Sequence, residues 1–161
     1  MCIRDRYGTK QQFVDAVAKC HDLGVHVYVD TVFNHRMGGD ETEPVMVEEI
    51  NPDNRNEVVS EPYEIQAWAK YNFPGRGGKY SDFKLNKDHF NAFGCNAAVK
   101  DDCGKIYRVH GRTFSGEVDF EFGNFDYLMG ADINHYHEDV KNDLIHRGQW
   151  IVAETNIEGF R

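Results

Sequence analysis

The sequence predicts an α/β fold in which a parallel sheet is interrupted by a long, irregular, β-rich insertion. Three observations predict it. The run Val25-His26-Val27-Tyr28-Val29-Asp30-Thr31-Val32-Phe33 is β-branched and aromatic on both faces, as in a strand buried within a parallel sheet. A capped helix leads into it through a single glycine. Helical periodicity then fades at Arg36, with Gly and aromatics rising, and returns only after Asp132.

Thr9-Lys10-Gln11-Gln12 has the form of a capping box, in which Thr9 bonds free amides of the first turn and Gln12 reaches back. Phe13, Val17 and Cys20 recur at helical spacing beside Val14 and Ala18, giving one apolar stripe, and Gly24 supplies a left-handed stop. Helix, glycine and buried strand form the second half of a βαβ crossover, which places a preceding strand upstream of this chain. Polar groups enter only at the strand's carboxyl end, as Asp30, Asn34 and His35. In barrels of alternating strands and helices, that rim is where chemistry is built.

Between Arg36 and about Gly130, turn signals recur at Met37-Gly38-Gly39-Asp40, Asn51-Pro52-Asp53-Asn54 and Phe73-Pro74-Gly75-Arg76-Gly77-Gly78. Residues 44–50 and 105–109 alternate like short strands. A structureless loop of this length is improbable in a compact domain, so the segment reads as a subdomain growing from the strand's end. Val140, Leu144, Gly148 and Ile151 restore the helical period and predict a helix from about Glu138 to Glu154. It leads to Ile157-Glu158-Gly159-Phe160-Arg161, which reads as the start of another strand, so the chain is expected to be cut at both ends.

The chain has 161 residues and a net charge of −9. Acidity of this order disfavours a nucleic-acid partner, whose affinity comes from Lys and Arg. No apolar run approaches the roughly 18 residues that span a bilayer, so no membrane partner is expected. Met1-Cys2-Ile3-Arg4-Asp5-Arg6 back-translates to a sequence like the transposon end used in preparing sequencing libraries, and residues 1–6 are set aside as a probable read-through scar. A missing native start leaves the compartment open, cytoplasmic or secreted. Cys20 reads as a small buried hydrophobe. Cys95 and Cys103 flank a short polar loop near His89 and His110, where a disulfide or a zinc site are both minority readings.

The islands Asp30-Thr31-Val32-Phe33-Asn34-His35, Phe73-Pro74-Gly75-Arg76-Gly77, Tyr80-Ser81-Asp82-Phe83, Gly123-Asn124-Phe125-Asp126-Tyr127-Leu128-Met129, Ala131-Asp132-Ile133-Asn134 and Gly159-Phe160-Arg161 occur in this order. With their spacing they resemble the bacterial α-amylases of glycoside hydrolase family 13, of the liquefying and cytoplasmic type, from Tyr7 to Arg161. The resemblance implies part of a (β/α)8 TIM barrel with an insertion subdomain after the third strand. Residues 7–35 would be a barrel helix and the third strand, 36–132 the insertion, and 133–161 a barrel helix and the start of the fourth strand.

It further implies retaining hydrolysis of internal α-1,4-glucosidic bonds in starch, glycogen or maltodextrins, an α-glucan being the substrate. Asp30 would be a structural carboxylate beneath the site, His35 a substrate contact, and Arg161 the arginine that holds the nucleophile ionised. Asn34, Asp126 and Asp132 match the ligands of the main calcium ion, an amide oxygen and two carboxylates suited to a hard cation. Asn91, Ser115 and Asn134 stand where a second metal cluster would have carboxylates, so one Ca2+ is expected and the cluster is expected to be absent. The nucleophile Asp would lie two positions beyond Arg161 and the acid/base Glu further on, so no catalytic carboxylate is present and the chain alone should be inactive. Asp126 and Asp132 are better explained as metal ligands, and Glu154 ends a helix. Trp68, Tyr71, Phe73, Tyr80 and Phe83 could stack on sugar, but read rather as a small core.

Two rivals stay open. A metal-dependent phosphoesterase would use Asp30, Asn34, His35, His89 and His110, but gives no role to the Asp126 and Asp132 islands. A catalytically inert barrel relative would keep barrel and calcium without the catalytic acids. Product length and oligomeric state are not legible.

Overall fold

The computed structural model describes residues 8–79, 81–118 and 126–161. Residues 1–7, Tyr80 and Gly123-Asn124-Phe125, all named above, lie outside the described residues. The chain is mixed α/β and divides into two compact units, residues 1–32 with 141–161, and residues 33–140.

In the first unit, helix α1 (Lys10–Asp22) begins with the expected capping box: Thr9 Oγ1 accepts the Gln12 amide at 3.2 Å, and Gln12 Oε1 accepts the Thr9 amide at 2.8 Å. Gly24, at φ +72°, ends it by donating its amide to His21 O at 2.9 Å. Strand β1 is only Tyr28–Val29. Helix α2 (Glu138–Thr155) enters this unit at Lys141 and leads to β9 (Gly159–Phe160), which pairs parallel to β1 with Tyr28 opposite Gly159. Lys10 joins the two helices, pairing with Glu154 and lying over the Trp150 ring.

The parallel pairing agrees with the expectation for this strand; its burial does not. Val25, Tyr28 and Val32 are 52%, 62% and 68% exposed. Among the described residues β1 is flanked on one edge only, by β9, which leaves its apolar side chains incompletely covered. The α1 stripe is bare for the same reason: Val17 is buried, Phe13 is 40% exposed, and Cys20, expected in a core, is a half-buried free thiol.

The second unit is an antiparallel sheet of seven strands. They are β2 (His35–Arg36), β3 (Glu41–Asn51), β4 (Asn54–Val58), β5 (Tyr63–Lys70), β6 (Phe90–Cys95), β7 (Cys103–Val109) and β8 (Ala131–Ile133). Their spatial order is β2-β8-β6-β7-β3-β4, with β5 also on β3. Residues 44–50 and 105–109, read as strands from their alternation, fall in β3 and β7. On β3, Val45, Val47 and Ile50 are buried, and across from them Ile65, Ala67, Ile106 and Tyr107 close the core. Among the described residues no helix is long and apolar enough to cross a membrane.

Candidate functional site

The site grows from the start of the second unit, where three short segments converge. His35 of β2 stands opposite Asp132 of β8, and the Ile133 amide donates to Asn34 O at 2.9 Å. The Asn34 side chain continues the link, its Nδ2 donating to the backbone oxygen of Asp126 at 2.7 Å. Its Oδ1 lies 3.1 Å from His35 Nδ1. Residues 92 positions apart in sequence are thereby tied through one amide.

Asp132 is 1% exposed and Asp126 9%. Two acids buried together are costly unless protonated, hydrogen-bonded or paired with a cation. Asp126 Oδ2 accepts the Ser115 amide at 2.6 Å. Asp132 Oδ2 accepts Asn91 Nδ2 at 3.3 Å, while its Oδ1 is buried without a hydrogen-bond partner. Burial first, then the charge of Asp126, push the Asp132 pKa up to about 8, against a weaker pull from Asn91. A partnerless buried carboxylate oxygen beside a second carboxylate is chemistry that a cation would fit. Carboxylate and amide oxygens without thiolate or imidazole form a donor set for a hard, oxygen-seeking cation.

The positions read as lost ligands are also placed. Asn91 and Ser115 both touch the acid pair, but through an amide N–H and a backbone N–H, donors that would repel a cation rather than bind it. Asn134 Oδ1 accepts the Tyr136 amide at 3.1 Å. His35 is half-buried, whereas Asp30 and Arg161 are exposed. The backbone of Arg161 extends the β1–β9 ladder, its amide on Val29 O and its carbonyl on the Thr31 amide.

Among the described residues of the second unit, His35, His89 and His110 form no common metal-ligand group. His110 lies on Glu48 at 2.9 Å, and His89 Nδ1 accepts the Asn86 amide at 2.9 Å. His89, His137 and Asp139 do bring one ligand atom each within 4.8 Å of one another. With Nδ1 of His89 accepting an N–H, its proton sits on Nε2, the wrong tautomer for a metal ligand there.

One feature sequence reasoning missed is a cavity of about 340 Å³ in the second unit, lined by Arg36, Met37, Trp68, Tyr71, Phe93 and Cys95 among others. Tyr71 is core, packed on Phe90 at 5.6 Å, as expected for an aromatic of the insertion. Trp68 is not: it is 46% exposed. The alternation of β5, with Ile65, Ala67 and Ala69 buried, was the signal that Trp68 faces outward. Cys95 and Cys103 form a disulfide, so the zinc reading of this pair falls.

No family model matches the chain. The alpha-amylase of Geobacillus stearothermophilus is 44% identical over 161 residues, covering 99% of this chain and 29% of that protein. The alpha-amylase of Bacillus licheniformis is 40% identical over 159 residues, 99% of this chain and 31% of the relative. The cytoplasmic alpha-amylase of Escherichia coli (strain K12) is 33% identical over 163 residues, again 99% of this chain and 32% of the relative. The chain thus spans 29–32% of the length of these curated relatives.

Proposed function

This chain belongs with the bacterial α-amylases, matching a segment of each over 99% of its own residues, and from that premise we propose that it is part of a retaining hydrolase of internal α-1,4-glucosidic bonds in starch, glycogen or maltodextrins. In this reading α1 with β1 and α2 with β9 are consecutive helix–strand pairs of a (β/α)8 barrel, and residues 36–132 are the subdomain inserted after its third strand. The parallel β1–β9 register and the antiparallel sheet between them support that division.

The observation that carries the reading is the buried Asp126–Asp132 pair, with its partnerless oxygen, linked to Asn34 at the strand end. Asn34, Asp126 and Asp132 would hold one calcium ion. When bound, it supplies the positive charge that lets both acids stay ionised while buried, and cross-links three distant segments. Asn91, Ser115 and Asn134 add no anionic ligand, so these three positions would not balance a second divalent ion.

His35 would contact sugar at the cleavage point, its orientation held by the Asn34 side chain. Asp30 would be the structural carboxylate and Arg161 the cation beside the nucleophile. Trp68 offers an exposed aromatic face on the cavity rim, where the C–H face of a glucose ring can stack. The reaction needs two carboxyl groups flanking the bond, one to attack and one to protonate the leaving oxygen. Asp126 and Asp132 are both buried and the charge of the first acts on the second, and Glu154 pairs with Lys10, so none is free for those roles. The chain by itself should therefore not hydrolyse starch.

The test is starch hydrolysis by the full-length protein with calcium, after chelation, and after replacement by zinc or manganese. Activity restored by calcium alone supports the proposal. Activity restored only by zinc or manganese, on phosphate esters, would favour the phosphoesterase. Calcium binding with no hydrolysis of any α-glucan would favour the inert relative.

A further inference from the structure

We propose that the Cys95–Cys103 disulfide is a redox-reversible clasp that holds the loop of residues 96–102 against β5. The bond closes the end of the β6–β7 hairpin, with Cys95 opposite Cys103 in the register. Between them the loop makes contacts that reach beyond the hairpin. The Ala97 amide donates to Gln66 O at 2.7 Å, and the Gln66 amide donates to Asn96 Oδ1 at 3.2 Å. Within the loop, Asn96 Oδ1 also accepts the Ala98 amide, and the Asn96 amide donates to Asp102 O at 3.1 Å. Asp102 in turn accepts the hydroxyl of Tyr107, whose ring is fully buried.

These bonds make the loop a bridge from the β6–β7 hairpin to β5, the strand that carries Trp68. Among the described residues β5 otherwise has a single strand partner, β3. Asp101 adopts φ +59°, a left-handed turn conformation that Asp accepts more readily than most non-glycine residues, and a fixed separation of the loop ends helps to hold it. The disulfide supplies that separation by shortening the open chain between residues 95 and 103. Cys103 is exposed, so a reductant in solution reaches one of the two sulfurs directly.

The chemistry balances with a small dithiol as reductant. Its thiolate attacks Cys103 Sγ and releases the Cys95 thiolate, which takes up a proton. The second thiol resolves the mixed disulfide, leaving two protein thiols and one oxidised dithiol. Two electrons pass to the protein, and the reverse exchange with an oxidised dithiol restores the clasp.

The experiment is hydrogen exchange on the full-length protein, before and after dithiothreitol, with free thiols titrated in parallel. Reduction should expose two additional thiols and speed amide exchange at Gln66 and Ala97 by about tenfold or more, while Val45 and Val47 in the core of β3 keep their protection. Reoxidation should reverse both changes. A Cys95→Ser/Cys103→Ser double variant should show the fast exchange at Gln66 and Ala97 without reductant and no response to it. Thiols that titrate fully before reduction, or unchanged Gln66 and Ala97 exchange with both thiols open, would overturn the clasp.

Discussion

Asp126 and Asp132 are buried against one another so that the charge of the first adds to the burial of the second, and one oxygen of Asp132 is left without a partner. Neither side chain alone would mark a site. On the proposed calcium reading, a cation shared between them would remove the repulsion and satisfy the orphan oxygen in one event, coupling metal binding to the folding of this region.

Asp132→Asn in the full-length protein should therefore uncouple stability from calcium. At a calcium concentration about a thousandfold above the dissociation constant, a protein with the proposed site would gain about 4 kcal/mol. Thermal melts with and without a chelator should show a large difference for wild type and a small one for the variant. An equal chelator effect in both would remove Asp132 from the metal site.

Thr9→Ala removes the side-chain oxygen that caps α1 at the Gln12 amide. The expected cost is about 1 kcal/mol. Thr9→Ser keeps the acceptor and should restore most of it, as measured by denaturant titration of the two variants side by side.

Glu158 supplies a pH-dependent contribution. The Val27 amide donates to its Oε2 at 2.7 Å, and His26 and His21 approach its Oε1 at 3.3 and 2.8 Å, pulling its pKa down from 4.5 to about 2. A depressed carboxyl pKa stabilises the fold above the unfolded value and loses that contribution as pH falls through the folded one. The stability gap between wild type and Glu158→Gln should be full above pH 4.5 and close between pH 4.5 and 2. A gap unchanged across that window in acid titrations would rule the mechanism out.

Gly130→Ala should be among the most damaging small substitutions. The residue sits at φ +66°, and a Cβ there would stand 2.5 Å from Arg36 O and collide with the Met37 sulfur. A loss of about 2 kcal/mol or more follows from the left-handed backbone and the immovable carbonyl together. Gly75→Ala, in open space at negative φ, is the control and should be near neutral.

Local chemistry was legible where a few neighbouring residues decide the outcome. Thr9 and Gln12 announced the start of α1, the 3.6-residue period placed α2 within one residue of its ends, and alternation located β3 and β7. What depended on distant partners was less so. Val25, Tyr28 and Val32 read as a buried strand because composition reports what a segment can bury, whereas exposure reports what is there to cover it. The Cys95–Cys103 bond is only a minority reading of the sequence because spacing alone cannot give hairpin register. At the acid pair, residue identities suggested ligands. That Asn91 would turn an N–H toward Asp132, and Ser115 its backbone N–H toward Asp126, required coordinates.

The two-residue strand β2 has a consequence of its own. Because His35 lies directly across the ladder from Asp132, a disturbance that shifts β8 is passed to His35 through main-chain bonds, with no flexible side chain to absorb it. If the proposed calcium site and glucan substrate hold, withdrawal of calcium should register kinetically before the molecule melts, as weaker saturation by glucan at temperatures where the fold is still intact.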